Sequence, residues 1–343
     1  CLPGRNGGVG VPSPRSLDLL VRAARLYYEE GRSQQEVAGL LGLSGSSVSR
    51  VLAAAREQGI VHITVHDPRQ VVRREPDLET ALVARFGLAQ AWVATVPDGV
   101  LPIDATAILA ARLFAERVDD LRRVGLSWGT AVGRFVEMVD LPPGRRDLEL
   151  FPLVGGMAAL DTGPDGSSSL QALAAKCGGR AYRLEAPAVV ESSATCAALL
   201  QESVIAHALQ RAGRVDTAFV GIGTVDDRST SRVLSAMKLT TAERRRVEAA
   251  APAGDLCGRF VDDLGRPLGP PTATRVIGIT LDQLERIPSV VAIAAGVYKT
   301  RGVRAALRSG VVKTLVVDSQ LAAEILATEL LSRTDGAVVG RQR

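Results

Sequence analysis

Three stretches of this chain put glycine, hydroxyl and charged residues where strands hand over to helices. Ser127-Trp128-Gly129-Thr130 follows the expected strand RRVGL and opens a helical pattern. Backbone N–H groups, the hydroxyls of Ser127 and Thr130 and the positive end of a helix would then converge on an anion, with phosphate the natural guest. A tight strand-to-helix turn accounts for the same residues. Gly221-Ile222-Gly223-Thr224 repeats the arrangement, and its missing side chains would let the backbone approach a ligand. Lys299 follows VVAIAAG and precedes another helix, a poor place for a cation unless an anion compensates it; a solvated lysine is the plain alternative. In GDLCGRFVDDLG, Asp255 and Arg259 are suited to ligand hydroxyls and a second phosphate, or to pairing with one another. Asp262 and Asp263 ahead of Gly265 form a turn signal.

The elements that must hold these residues alternate along the chain. From Ala89 onward the β-branched runs AWVATV, RRVGLS, LELFPLV, RAYRL, TAFVGI, RVIGI, VVAIAA and TLVVD are separated by Ala/Leu-rich helical stretches, including one around Ser192 to Gln210 and a final one to about Leu331. Such alternation predicts βαβ units and a mostly parallel sheet covered on both faces. Ligands in that architecture bind at the carboxyl ends of the strands, where all three stretches fall.

The N-terminal part has a different pattern. Between Ser33 and Gly59 the chain reads SQQEVAGLLGLSGSSVSRVLAAAREQG. Ser33 and Glu36 form a capping box that starts a helix at Gln34. Ala38 and Gly42 supply small residues where two steeply crossing helices approach, Gly42 ends the first and Ser44 caps the second. Val48, Val51 and Leu52 share one face, while Ser46, Ser47, Ser49 and Arg50 occupy the other. Ser44 and these exposed residues are the candidate DNA contacts, since hydroxyls approach phosphates and base edges closely and Arg50 can bond guanine or clamp a phosphate. An ordinary helical hairpin is the competing reading. Leu17 to Glu30 predicts a covering amphipathic helix, and Ile60 to Val65 a short strand or wing. Residues 15 to 74 hold nine Arg and six acids, so most of the chain's net charge of +4 lies here. A weakly basic module needs a second copy to bind DNA tightly.

The stretch LYYEEGRSQQEVAGLLGLSGSSVSRVLAAAREQGIVHI resembles the DNA-binding domain of the SorC family of sugar-responsive bacterial transcription regulators. VGLSWGTAV, FPLVGG, FVGIGT, GDLCGRFVDDLG and VVAIAAGVYKT resemble that family's effector domain in order and spacing. The resemblance implies a small winged helix-turn-helix followed by a Rossmann-like, mostly parallel α/β domain similar to the glucosamine-6-phosphate deaminase and ribose-5-phosphate isomerase fold. It implies operator DNA and a phosphorylated sugar or polyol as partners, with a homodimer or homotetramer as the assembly. Carried over, the phosphate loop is Ser127, Gly129 and Thr130, and the lysine is Lys299. Gly221, Gly223, Thr224, Asp255 and Arg259 complete the expected effector set. Two departures bear on the sugar's identity: Ala131 where a second hydroxyl is common, and Val297, where glycine is usual and whose bulk would narrow the approach to Lys299.

The competing class is an enzyme, an isomerase, deaminase or Schiff-base aldolase with an appended DNA-binding module. It needs a positioned base or an activated lysine. The chain has only three His, of which His62 and His66 belong to the wing and His207 to an amphipathic helix. Lys299 is the Schiff-base candidate, but no neighbour in sequence would activate it, and a non-enzymatic regulator is the expectation.

A chain of 343 residues suggests two domains. The expected division is a disordered Gly/Pro-rich tail over 1–15, the helix-turn-helix over 16–66, a linker over 67–76 marked by Pro68, Pro76 and clustered Arg, and the effector domain over 77–335. No apolar run approaches the roughly 18 residues of a membrane span. Cys1, Cys177, Cys196 and Cys257 form no CxxC or Cys/His cluster, so neither a zinc site nor a disulfide framework is expected and a reducing cytoplasm is the expected compartment; no cofactor is expected either.

Overall fold

A reciprocal cap starts the second N-terminal helix, as the Ser33-x-x-Glu36 spacing predicts. Ser33 Oγ accepts the Glu36 N–H at 3.3 Å and the Glu36 carboxylate accepts the Ser33 N–H at 2.8 Å. The computed structural model describes residues 17–61, 71–141, 147–157, 166–225 and 228–339. The chain divides into two units between Asp67 and Pro68.

In the first unit, α1 (Leu17–Ala24) runs on through a π-helical turn (Arg25–Glu29), followed by α2 (Gln34–Leu41) and α3 (Gly45–Glu57). The chain bends by 99° between α2 and α3. Gly42 makes that bend with φ +64°, yet a Cβ there would meet nothing within 4 Å. Its glycine therefore serves the left-handed turn, not the close helix approach expected of it. Leu20, Ala23, Val37, Val48, Val51, Leu52 and Ala55 form the core, with Ile60 and Val61 packed on it. The rest of the expected wing, with His62 and His66, and the expected N-terminal tail lie outside the described residues.

The second unit is a nine-stranded sheet. Its strands are β1 (Gln90–Ala94), β2 (Arg123–Leu126), β3 (Glu149–Pro152), β4 (Arg180–Ala181), β5 (Thr217–Thr224), β6 (Pro252–Leu256), β7 (Arg259–Asp262), β8 (Ser289–Ile293) and β9 (Thr314–Asp318). Its helices are α4 (Pro76–Phe86), α5 (Pro102–Ala115), α6 (Thr130–Met138), α7 (Gly166–Cys177), α8 (Ser193–Gln201), α9 (Ser203–Ala212), α10 (Arg228–Ala236), α11 (Thr241–Ala249), α12 (Leu281–Glu285), α13 (Thr300–Arg308) and α14 (Ser319–Val339). The strand order β1-β9-β8-β5-β2-β3-β4 is parallel throughout. Alternate residues feed two cores: Ala218, Val220 and Ile222 of β5 join one, and in the other Phe219 stacks on Phe135 and meets Phe114 edge-on. Both faces are buried by apolar side chains, as the near-continuous apolar strands require.

Four sequence expectations need correction. RVIGI forms no sheet strand; it makes isolated bridges, Val276 to Val189 and Gly278 to Val154. GDLCGRFVDD is a hairpin, β6 and β7, with β6 pairing antiparallel to the far end of β5. The helix expected around Ser192 to Gln210 breaks at Glu202 into α8 and α9. Residues 71–75, expected within a linker, run beside β1: Val72 is buried, Glu75 N–H donates to Val93 O and Thr95 N–H to Arg73 O, each at 2.9 Å.

At the end of β5 three glycines bring three backbones together. A Cβ on Gly302 of α13 would lie 2.5 Å from the Gly223 carbonyl oxygen, and one on Gly254 of β6 would lie 2.5 Å from the same atom and 2.8 Å from Gly302 Cα. No L side chain fits at those distances without moving backbone. Gly302→Ala is therefore expected to cost about 1–3 kcal/mol of stability by overpacking. Gly39→Ala, in the interior of α2 with open space around its Cβ position, should instead stabilise by about 0.5–1 kcal/mol. Urea unfolding of both variants checks the pair.

Candidate functional site

The carboxyl ends of β2, β5 and β8 surround a cavity of about 220 Å³. Gly129 enters it with φ +125° and is followed by α6, whose N-cap makes no side-chain bond. The first-turn N–H groups of α6 thus lack a side-chain cap beside the exposed Thr130, a positive helix end facing the cavity. A Cβ on Gly129 would meet nothing within 4 Å, so its glycine answers to the dihedral and not to space.

Gly223 answers to space. Its Cβ would lie 1.9 Å from Asp255 Oδ1 and 2.5 Å from Thr230 Oγ1. The room expected for a ligand at this glycine is taken by the Asp255 carboxylate, which lines the cavity. Asp255 is buried, with Oδ1 accepting from Thr230 Oγ1 at 2.9 Å and Oδ2 from the Gly258 N–H at 3.0 Å.

Lys299 ends a 3-10 turn (Val297–Lys299) immediately before α13. Its ammonium donates to the Ile222 carbonyl at 2.7 Å and lies 5.7 Å from the Tyr298 ring centre. The turn is anchored from behind by the buried Asp318 at the end of β9. One carboxylate oxygen accepts the Gly296 N–H at 2.7 Å and the other the Leu321 N–H at 2.9 Å.

Six of the nine expected residues, Gly129, Thr130, Gly221, Gly223, Asp255 and Lys299, line this one cavity. Ser127, Thr224 and Arg259 do not. Ser127 Oγ accepts the Gly221 N–H at 3.1 Å and donates to Trp128 O at 3.2 Å, so it ties the two glycine loops together from below. Thr224 is fully buried, its hydroxyl 3.4 Å from Ala253 O. Arg259 neither pairs with Asp255 nor faces the cavity. Its guanidinium donates to four carbonyls, Ala273 and Gly278 at 2.8 Å, Ile279 at 3.1 Å and Val276 at 3.2 Å, and burial lowers its pKa. It holds the 273–279 segment against the hairpin.

Val297 is 49% exposed and is not part of the wall, so it does not narrow the approach to Lys299 as expected; Ala131 does line the cavity. Sequence reasoning missed Ile103, Thr230, Cys257 and Tyr298. Thr230 meets Asp255 only through tertiary contact, and Cys257 reaches the wall because it shares a positive-φ hairpin turn with Gly258, at φ +53° and +75°. Burial, with Asp255 adding and Arg259 opposing, pushes the Cys257 thiol up to about 12, so it presents an apolar, un-ionised wall. Trp128, noted only as part of its loop, walls the cavity with its indole N–H buried and unpartnered. Among the described residues no group of His, Cys, Asp and Glu could hold a metal.

In the first unit, Ser44 caps α3 by accepting the Ser47 N–H at 3.2 Å, and its hydroxyl also lies 2.9 Å from that of Ser47 and 3.1 Å from that of Ser46. Ser46, Ser49 and Arg50 are exposed on one face, with Arg50 Nε donating to Ser46 O at 3.3 Å. Ser44 and Ser47 thus shape the helix start, and Ser46, Ser49 and Arg50 present its outer surface. Among the described residues no single helix is long and apolar enough to cross a membrane; α2 and α3 reach that composition only as a pair bent by 99°.

A family model described as a sugar-binding domain matches residues 71–327. The transcriptional regulator YjhU of Escherichia coli (strain K12) is 29% identical over 322 residues, covering 91% of this chain and 95% of the relative. The deoxyribonucleoside regulator of Bacillus subtilis (strain 168) is 26% identical over 306 residues, covering 89% and 96%. A crystal structure of the full-length sorbitol operon regulator SorC from Klebsiella pneumoniae superposes with a TM-score of 0.68 at 26% identity, covering 90% of this chain and 98% of that one. The cavity at the strand ends lies within the matched domain, and the chain belongs to the SorC family of sugar-binding-domain regulators.

Proposed function

We propose that this protein is a DNA-binding transcriptional regulator of carbohydrate metabolism whose operator affinity changes when a phosphorylated sugar or polyol enters the cavity. The observation that carries the reading is the convergence of the α6 N-terminus, Thr130, Lys299 and Asp255 on one space. The helix end and the ammonium suit a phosphate. Asp255, with an acceptor-rich carboxylate at the same wall, suits a hydroxyl of the carbon chain. Ile103, Ala131, Cys257 and Ala295 offer the apolar surface between them. The relatives named for sorbitol and deoxyribonucleosides agree with a ligand of this class.

In the first unit, α3 would enter the major groove with Ser46, Ser49 and Arg50 at base edges and phosphates, while Ser44 and Ser47 set its N-terminus. A weakly basic module gains affinity by pairing half-sites about one DNA turn apart, so a homodimer or homotetramer in the cytoplasm is the working assembly. No histidine lines the cavity among the described residues, and its one carboxylate is already bonded to Thr230 and Gly258. These features favour a sensor over an enzyme that needs a free base.

A thermal-shift screen of hexose, pentose and polyol phosphates tests the ligand class. A ligand at 100 times its Kd should stabilise the fold by about 2.7 kcal/mol, and a panel in which no member raises the melting temperature would sink the proposal. Arg50→Ala should weaken operator binding in gel shifts by about 1–3 kcal/mol, with sugar-phosphate affinity unchanged. Unaltered operator binding would remove Arg50 from the interface. Lys299→Ala should bind operator normally and lose the response to sugar phosphate; a normal response removes Lys299 from the ligand site.

A further inference from the structure

Two buried carboxylates anchor opposite ends of α4, Glu79 from within the helix and Glu329 from α14, and neither lines the cavity. Glu79 takes the Arg74 guanidinium through Nε at 2.8 Å and Nη2 at 2.6 Å, and also accepts the Val93 N–H at 2.9 Å. Arg74 additionally lies 4.0 Å over the Trp92 ring. At the other end Glu329 of α14 receives three guanidiniums: Arg85 of α4 at 2.8 Å, and Arg304 and Arg308 of α13 at 2.9 and 2.7 Å. Burial pushes the Glu329 carboxyl up, but the bonds from Arg308 and Arg304 outweigh it and hold its pKa below the ordinary carboxylate value. Beside this cluster, Arg301 pairs with Asp263 at 2.7 Å and Arg308 also donates to the Asp263 carbonyl at 2.7 Å.

The connection to the cavity runs through α13. Lys299 directly precedes that helix, and Arg304 and Arg308 are four residues apart on one of its faces. A helix of this length moves as a rod, so a shift at its first residue reaches the two arginines about 6–12 Å along the axis. From Glu329 the chain of contacts passes to Arg85, along α4 to Glu79, and through Arg74 to residues 71–75, which lead back in sequence toward the first unit. Arg85 is the least satisfied member: it reaches Glu329 through Nη2, and its Nε is buried without a partner. Arg304 and Arg308 hold Glu329 from α13, so a movement of that helix that draws the carboxylate along lengthens its bond to Arg85 of α4.

We infer that Arg85 and Glu329 are positioning residues that couple the cavity to the chain segment leading to the DNA-binding unit, with the Arg85–Glu329 bond differing between ligand-free and ligand-bound states. The inference rests on the cavity being the effector site. Equal strength in both states would transmit nothing. A contiguous set of packed and charged contacts is the physical form such coupling takes.

The test uses the full chain with ribose 5-phosphate and sorbitol 6-phosphate as probes. In the wild type, the active probe should change operator affinity by about 5–150-fold and alter amide exchange both at 221–224 and in 76–86. Arg85→Met keeps the apolar stem and removes the charge. It should retain probe binding, operator binding and the exchange change at 221–224, while losing the change in 76–86 and bringing the affinity ratio to about one. Arg85→Lys, which restores the charge without the orphaned Nε, should recover the response. Glu329→Gln repeats the measurement from the other partner should Arg85→Met fail to fold. A wild-type response in any folded variant that lacks the pair overturns the inference, as does loss of probe binding in Arg85→Met, which would indicate a structural role only. If neither probe alters exchange at 221–224 in the wild type, the effector reading of the cavity fails first and this coupling fails with it.

Discussion

Everything polar in the cavity depends on how closely three backbones pass at the end of β5. Gly223, Gly254 and Gly302 come from a strand, a hairpin and a helix, and a Cβ on Gly254 or Gly302 would strike the Gly223 carbonyl oxygen at 2.5 Å. That approach lets β6 continue antiparallel on β5 beyond the parallel sheet, which brings Asp255 opposite Gly223. The same approach lets α13 start beside Ile222, so that Lys299 bonds the Ile222 carbonyl. Glycine costs conformational entropy on folding. The two apolar cores on either side of the sheet supply the burial that offsets it.

Once the cavity is framed in this way, residues that do not touch it still shape its electrostatics. Arg259 carries a buried charge whose hydration is replaced by four carbonyl dipoles, not by a carboxylate. At the Cys257 thiol on the cavity wall its positive field opposes the upward push of burial and of the Asp255 carboxylate. In a low-dielectric interior such a field acts over several ångströms. Arg259 thus fixes the 273–279 segment and reaches the cavity wall only through its field at Cys257, a role different from the direct bond expected of it. Ser127 acts indirectly as well, since its hydroxyl ties Gly221 to the loop that opens α6.

What was legible in the sequence was local or topological. The Ser33 and Glu36 cap and the Ser44 cap are set within three residues, so spacing alone identifies them. The three loops were found because a parallel α/β sheet puts its strand ends on one side, whatever the side chains do. Partners contributed from afar were not legible. Arg259 looked like a ligand contact because its four acceptors lie 14 to 20 residues further on, three of them in the RVIGI segment read as a strand. Thr230 carried no signal because only the hairpin fold brings Asp255 to it across 25 residues. Gly42 was correctly taken as the helix stop but for a second reason that open space around it excludes. The Arg85, Arg304, Arg308 and Glu329 cluster spans three helices and shows no spacing beyond the one pair on α13.

The scale of that cluster matches what regulation demands. Coupling between two sites is typically worth about 1–3 kcal/mol, and a hydrogen bond to a charged group contributes about 1.5–3 kcal/mol. One charged contact made in one state and lost in the other is therefore enough, and the sheet need not reorganise. The parallel sheet is poorly suited to carry such a signal, since its close-packed cores resist continuous deformation. A buried carboxylate shared by three guanidiniums is better suited, because the anion keeps two partners on α13 when the third, on α4, is released. Release then breaks a single bond, that of Arg85 to Glu329, and the helix it frees is the first element after the segment that leads to the DNA-binding unit.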